Sequence, residues 1–183
     1  MLELVDRSGE AIRDLSSTLR PHCREVERAP LPDLDYDWHR LLEPASLAIA
    51  AVQDDPSQRP PSLRSYLGPL DRRDRFIAAF ERFFERWDAL ISPISMGTAF
   101  PHCQPGTPHR VDGEPVEYWA TTAHGSLFTY TDHPAIAMPH RLDSEGLPMG
   151  FQLVGRRWGE AKLLALAQAL APPTSAFVRP PLA

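Results

Sequence analysis

The stretch from Thr129 to Leu170 constrains the fold more than any other part of the chain. It reads Thr-Tyr-Thr-Asp-His-Pro-Ala-Ile-Ala-Met-Pro over 129–139 and Gly-Leu-Pro-Met-Gly-Phe-Gln-Leu-Val-Gly over 146–155. Gly159-Glu160 then leads into Leu163-Leu164-Ala165-Leu166-Ala167. Two short apolar runs bounded by Pro and Gly predict buried strands, and the Leu/Ala segment after them has helical spacing. The unit is therefore strand, loop, strand and helix.

The rest of the chain sets the frame for that unit. Its 183 residues, 43% of them hydrophobic, are enough for one domain with its own core. A net charge of −5 with both signs interspersed lacks the basic stripe of a nucleic-acid binder. No apolar run approaches the roughly eighteen residues of a membrane span, and the Met1–Arg7 start lacks the order of a signal peptide. The expectation is a soluble cytoplasmic protein that engages neither nucleic acid nor membrane. Cys23 and Cys103, the only two cysteines, give no disulfide framework and agree with a reducing compartment.

Upstream, residues 8–20 place Ala11, Ile12, Leu15 and Leu19 on one helical face behind Ser8, a candidate N-cap. Glu25–Glu27 reads as a short strand ended by Pro30 and Pro32. From Tyr36 to Val52 the apolar positions keep one face with Pro44 among them, so either one helix kinks there or a second begins. Residues 53–61 are polar, rich in proline and predict a mobile loop. The clearest helix spans 71–87, with Phe76, Phe80, Phe83, Phe84 and Trp87 on one stripe and Asp71 as its expected N-cap. Ala89–Ile91 follows as a strand stopped by Pro93. Residues 92–117 predict a long ordered loop, and Tyr118–Phe128 a helix.

The order of these parts, 129–139 and 146–155 above all, resembles the C-terminal end of the amidase-signature family. There a segment of the type N-L-T-G-h-P-A-h-s-h-P precedes G-L-P-h-G-h-Q-h-h-G and a final helix. The step from the aromatic helix into Ala89–Ile91 and Pro93 is similar to that family's D-h-h-h-x-P segment. The resemblance implies an α/β fold, a mixed sheet with surrounding helices, of which residues 1–183 are a single partial domain. It also implies a substrate-pocket wall carrying Thr129, Asp132 and His133. Thr129 stands where the family often has Asn, Asp132 where it often has Gly, and His140 where Gly commonly follows the Pro. An Asp in place of Gly suggests a backbone with φ > 0, which Asp tolerates better than most residues.

The family hydrolyses carboxamides with a Ser nucleophile, a bridging Ser and a Lys base held neutral by its site. No Gly/Ser-rich signature occurs, and the sole lysine, Lys162, reads as a solvated side chain beside Glu160. Ser126 follows Gly125, but Phe128 stands where a nucleophile elbow needs Gly. His124 and His133 have no identifiable nucleophile beside them, and His102, Cys103 and His109 match no common zinc spacing. Gly146, Gly150 and Gly155 make no dinucleotide fingerprint and read as turn and close-packing positions.

The sequence thus supplies no catalytic residue and implies no cofactor or metal. It predicts the C-terminal segment of an amidohydrolase acting on a small-molecule amide, inactive alone and partnered by the catalytic half. The other reading is a non-enzymatic remnant or interaction module that binds a partner or self-associates.

Overall fold

The computed structural model describes residues 14–52, 61–111, 113–143 and 145–174. Ser8, Ala11, Ile12 and nearly all of the 53–61 loop lie outside the described residues. Helix α1 runs over 14–19 and ends in a 3-10 turn, Arg20–His22. Helices α2 (Trp38–Val52) and α3 (Leu63–Arg86) follow, then strand β1 (Leu90–Pro93) and the β2–β3 hairpin (His109–Val111 and Glu114–Val116). A 3-10 turn at Tyr118–Thr122 opens into α4 (Ala123–Thr131). Strands β4 (Ala135–Leu142) and β5 (Pro148–Val154) and helix α5 (Glu160–Thr174) complete the order.

Strand β5 is the centre of a three-stranded sheet of order β1-β5-β4. Leu90 and Ala135 both register on Val154, from opposite sides. Because side chains alternate along a strand, Phe151 and Leu153 point to one face and Gln152 and Val154 to the other, and all four are buried. Phe151 and Leu153 join Leu15, Leu19, Met138, Leu163 and Leu170 in one core cluster, under α1 and α5. Val154 joins Leu41, Phe76, Phe80, Phe84, Leu127, Phe128 and Tyr130 in the other, under α2, α3 and α4. The α/β class with surrounding helices is as expected. The pairing within both sheets is antiparallel, rather than mixed.

Several local expectations are corrected. Helix α3 begins at Leu63, with Ser62 and not Asp71 as its N-cap. The Ser62 hydroxyl accepts the Ser65 N–H at 3.1 Å, so the cap lies well before Asp71 and Pro69 is carried inside the helix. Helix α2 runs through Pro44 as one element. Glu25–Glu27 forms no strand, although Val26 packs against the same core cluster as Ala89 and Ile91.

Within 92–117, where a loop is expected, β2 and β3 pair as a hairpin. The Asp-Gly dipeptide that separates them is a strong hairpin signal in the sequence, and Gly113 adopts φ +84. The aromatic stripe is also better covered than its size suggests. Phe76 and Phe80 are 1% and 0% exposed and Phe84 is buried, which contributes roughly 1.5–3 kcal/mol for each ring.

Two motif glycines have steric reasons. A Cβ on Gly150 would lie 2.8 Å from the Met138 carbonyl oxygen across the β4–β5 pair, and Gly146 takes φ +79 in the connecting turn. Asp143 closes that turn by accepting the N–H groups of Glu145 and Leu147, each at 2.8 Å. These backbone bonds hold its carboxyl below the usual carboxylate range.

Candidate functional site

The three residues expected on a pocket wall sit where α4 turns into β4. Thr129 lies in the last turn of α4 rather than in a loop, exposed, with its hydroxyl donating to the Gly125 carbonyl at 3.3 Å. Asp132 caps the helix in the left-handed region at φ 54, as expected where an Asp replaces Gly. His133 follows, and its N–H donates to the Phe128 carbonyl at 3.2 Å. The side chain of His133 does not reach the surface. It is wholly buried between Phe80 and Phe84, with ring centroids 5.6 and 5.4 Å away.

Charged groups from three elements tie this bend down. The Asp132 carboxylate pairs with Arg73 of α3 and lies 3.6 Å from Arg157 in the turn before α5. The Arg73 Nε donates to the Tyr130 carbonyl at 2.7 Å, and the Tyr130 hydroxyl donates to the Pro69 carbonyl at 3.1 Å. Glu81 of α3 accepts the Arg156 Nε–H at 2.7 Å and the Arg157 N–H at 3.3 Å. Gly155 N–H closes onto the Pro134 carbonyl at 2.9 Å.

Thr131, His133 and Glu81 stand in the order of a nucleophile, base and acid, with Thr131 Oγ1 2.8 Å from His133 Nδ1 and His133 Nε2 3.7 Å from Glu81. Access decides against that reading. Thr131 is 0% exposed and its hydroxyl proton is committed to the Leu127 carbonyl, so no substrate can meet it. Lys162 is solvated, as expected, and donates to Asp88 at 2.5 Å. Among the described residues, no group of three His, Cys, Asp or Glu side chains converges to hold a metal ion.

A second knot, which the motifs do not announce, centres on Gln152. Its Nε2 donates to the Pro93 carbonyl at 2.9 Å and the His124 carbonyl at 3.2 Å, with Ser92 Oγ 3.4 Å away, joining β5 to β1 and α4. A single amide in an otherwise apolar central strand is the available signal, because a buried polar group demands partners. His124, 7% exposed, has no partner for either ring nitrogen among the described residues, and burial pushes its pKa down to about 4. His133 is also shifted down, by burial first, against the opposing pull of Glu81.

The arrangement is a braced corner without an accessible nucleophile. A model of the Amidase family matches residues 29–164, most of the chain, and the chain belongs to that family. A glutamyl-tRNA(Gln) amidotransferase subunit of Roseobacter denitrificans is 37% identical over 92 residues, which are 50% of this chain and 18% of that relative. The fold agrees with solved relatives at low identity. A bacterial aryl acylamidase of the amidase-signature family superimposes with a TM-score of 0.71 at 16% identity, over 90% of this chain and 40% of its own. The corresponding amidotransferase subunit from Thermotoga maritima gives 0.68 at 19%, over 93% and 40%. The chain thus spans less than a fifth of the curated relative's length and about two fifths of the solved chains.

Proposed function

We propose that this chain serves as the C-terminal segment of an amidohydrolase that cleaves carboxamide C–N bonds, completing its fold and one wall of its substrate pocket. In this reading Thr129 and Asp132 face the pocket, and His133 supports them from beneath. The nucleophile, base and oxyanion donors come from a catalytic portion outside residues 1–183. The observation that carries it is the match in fold to about two fifths of complete amidases, combined with a family motif whose nucleophile-like pair is sealed in the core. The relatives are named as subunits, which supports a chain that works within an assembly.

Purified 1–183 is expected to hydrolyse simple carboxamides and esters no faster than background. Turnover that disappears on substituting a Ser or His would sink the proposal. A Gly/Ser-rich signature and a lysine encoded just upstream of Met1 would support it further.

The second reading is an interaction module, favoured by exposed Ile49, Val52, Leu63 and Leu67 on α2 and α3 and by the outer edge of β4, which pairs with no further strand among the described residues. Sedimentation over a concentration series separates the two readings. Self-association that a catalytic portion abolishes while activity appears supports the segment, and self-association indifferent to one supports the module.

A further inference from the structure

The Thr131 hydroxyl lies 2.8 Å from His133 Nδ1, so its orientation is tied to which ring nitrogen holds the proton. A hydroxyl has one hydrogen, and that of Thr131 goes to the Leu127 carbonyl at 3.1 Å. Oriented that way it accepts from Nδ1 at 2.8 Å, an arrangement that goes with the hydrogen of neutral His133 on Nδ1. Nε2 is left as a bare lone pair with no hydrogen-bond partner among the described residues, inside a side chain that is 0% exposed. Facing it is Glu81 Oε1, at 3.7 Å. Two acceptors facing each other gain nothing.

Glu81 is meanwhile in use. Its Oε2 holds the Arg156 Nε–H, and the same Oε1 that faces His133 accepts the Arg157 N–H at 3.3 Å, the longer of the two bonds. These contacts tie the turn before α5 to α3. We infer that His133 and Glu81 form a proton-operated latch, in which a proton taken up at Nε2 draws Oε1 away from the Arg157 amide and slackens the 156–159 turn.

The surroundings define the forces on that proton. From α3, Phe80 and Phe84 cover the ring and disfavour charge, while the Glu81 carboxylate favours it. From the turn before α5, Arg157 opposes the proton and Arg156 is neutralised by Glu81. From the α4–β4 bend, Asp132 favours it, and Arg73 of α3 is paired with Asp132. Burial is the largest of these effects, so the latch stays closed at neutral pH and opens only below the ordinary histidine value of 6.5.

Nitrogen-detected NMR of the 183-residue chain between about pH 8 and about pH 5 tests this. At the upper end His133 is expected as the Nδ1–H tautomer. As pH falls, the Arg157 amide and Arg156 Nε–H should shift with the same midpoint as the His133 ring, while the β2–β3 amides stay fixed. In Glu81→Gln the new amide can donate to Nε2, so the midpoint should fall and the coupled Arg157 shift should vanish. An Nε2–H tautomer at neutral pH would overturn the latch. So would an Arg157 amide indifferent to the His133 titration, a ring neutral throughout, or an unchanged coupled midpoint in Glu81→Gln.

Discussion

The guanidinium of Arg72 donates at 3.2 Å to the carbonyl of Arg40, the group whose helical partner is removed by Pro44. A proline four residues on has no N–H to return, so α2 would carry an unpaired carbonyl had α3 not supplied a donor. The same Arg72 nitrogen lies 2.9 Å from Glu43, and that bond raises the arginine pKa further. Arg72→Ala is expected to cost about 1–2 kcal/mol. In a Pro44→Ala background the Arg40 carbonyl regains an intrahelical donor, and the cost of Arg72→Ala should shrink. A double-mutant cycle in urea measures the coupling, and strictly additive effects would contradict it.

Gln152 offers a second measurable knot. Replacing it by Leu keeps the strand apolar and similar in size but removes the donor shared by the Pro93 and His124 carbonyls. The expected loss is about 1–2 kcal/mol, from the lost bonds themselves, because the Pro93 carbonyl keeps the Ser92 hydroxyl at 3.2 Å. Since the bonds join β1 to β5 and α4, amides in β1 should exchange faster in the variant. Unchanged stability would mean that the carbonyls find other donors.

Legibility from sequence follows the range of the interactions. The 151–154 run and the spacing of Phe76, Phe80 and Phe84 declare their elements because burial imposes the period directly. Asp132 declares its positive φ through the Gly it replaces. The start of α3 is misread because Asp71 and Asp74 imitate a first turn, while the true cap, Ser62, is followed by Gly68 and Pro69, which argue locally against a helix. Packing overrides them. At the candidate site, motif order places residues 129–133 at the bend. It cannot show that His133 turns inward, because that depends on Phe80, Glu81 and Phe84, which are remote in sequence.

Buried His124 gives the chain an acid-sensitive stability. Its pKa is depressed from 6.5 to about 4, so the unfolded chain binds this proton more readily over that interval. Stability is therefore full above about pH 6.5 and lost as pH falls towards 4, by about 2–3 kcal/mol from this residue. His133, also depressed, acts in the same sense. Urea midpoints at about pH 7.5 and about pH 5 should differ in the native chain and differ less in His124→Gln. Equal pH sensitivity in both proteins would place the effect elsewhere.

Trp158 combines two costs. It holds φ 62 and is 85% exposed, so the indole offsets little of the strain of a left-handed bulky residue. The turn needs that geometry. Gly159 N–H donates to the Arg156 carbonyl at 3.0 Å, and a Cβ on Gly159 would lie 2.8 Å from that same oxygen. Against the strain stands the Arg157 guanidinium, 5.8 Å from the ring centroid, a cation–π contact worth about 0.5–1 kcal/mol at an exposed site. Asn enters the left-handed region more easily, which should recover about 1–2 kcal/mol. Trp158→Asn is therefore expected to raise stability by about 1 kcal/mol and shift the thermal midpoint upward by a few degrees, roughly 2–4 °C. A lower midpoint would show that the indole is held by contacts worth more than the strain.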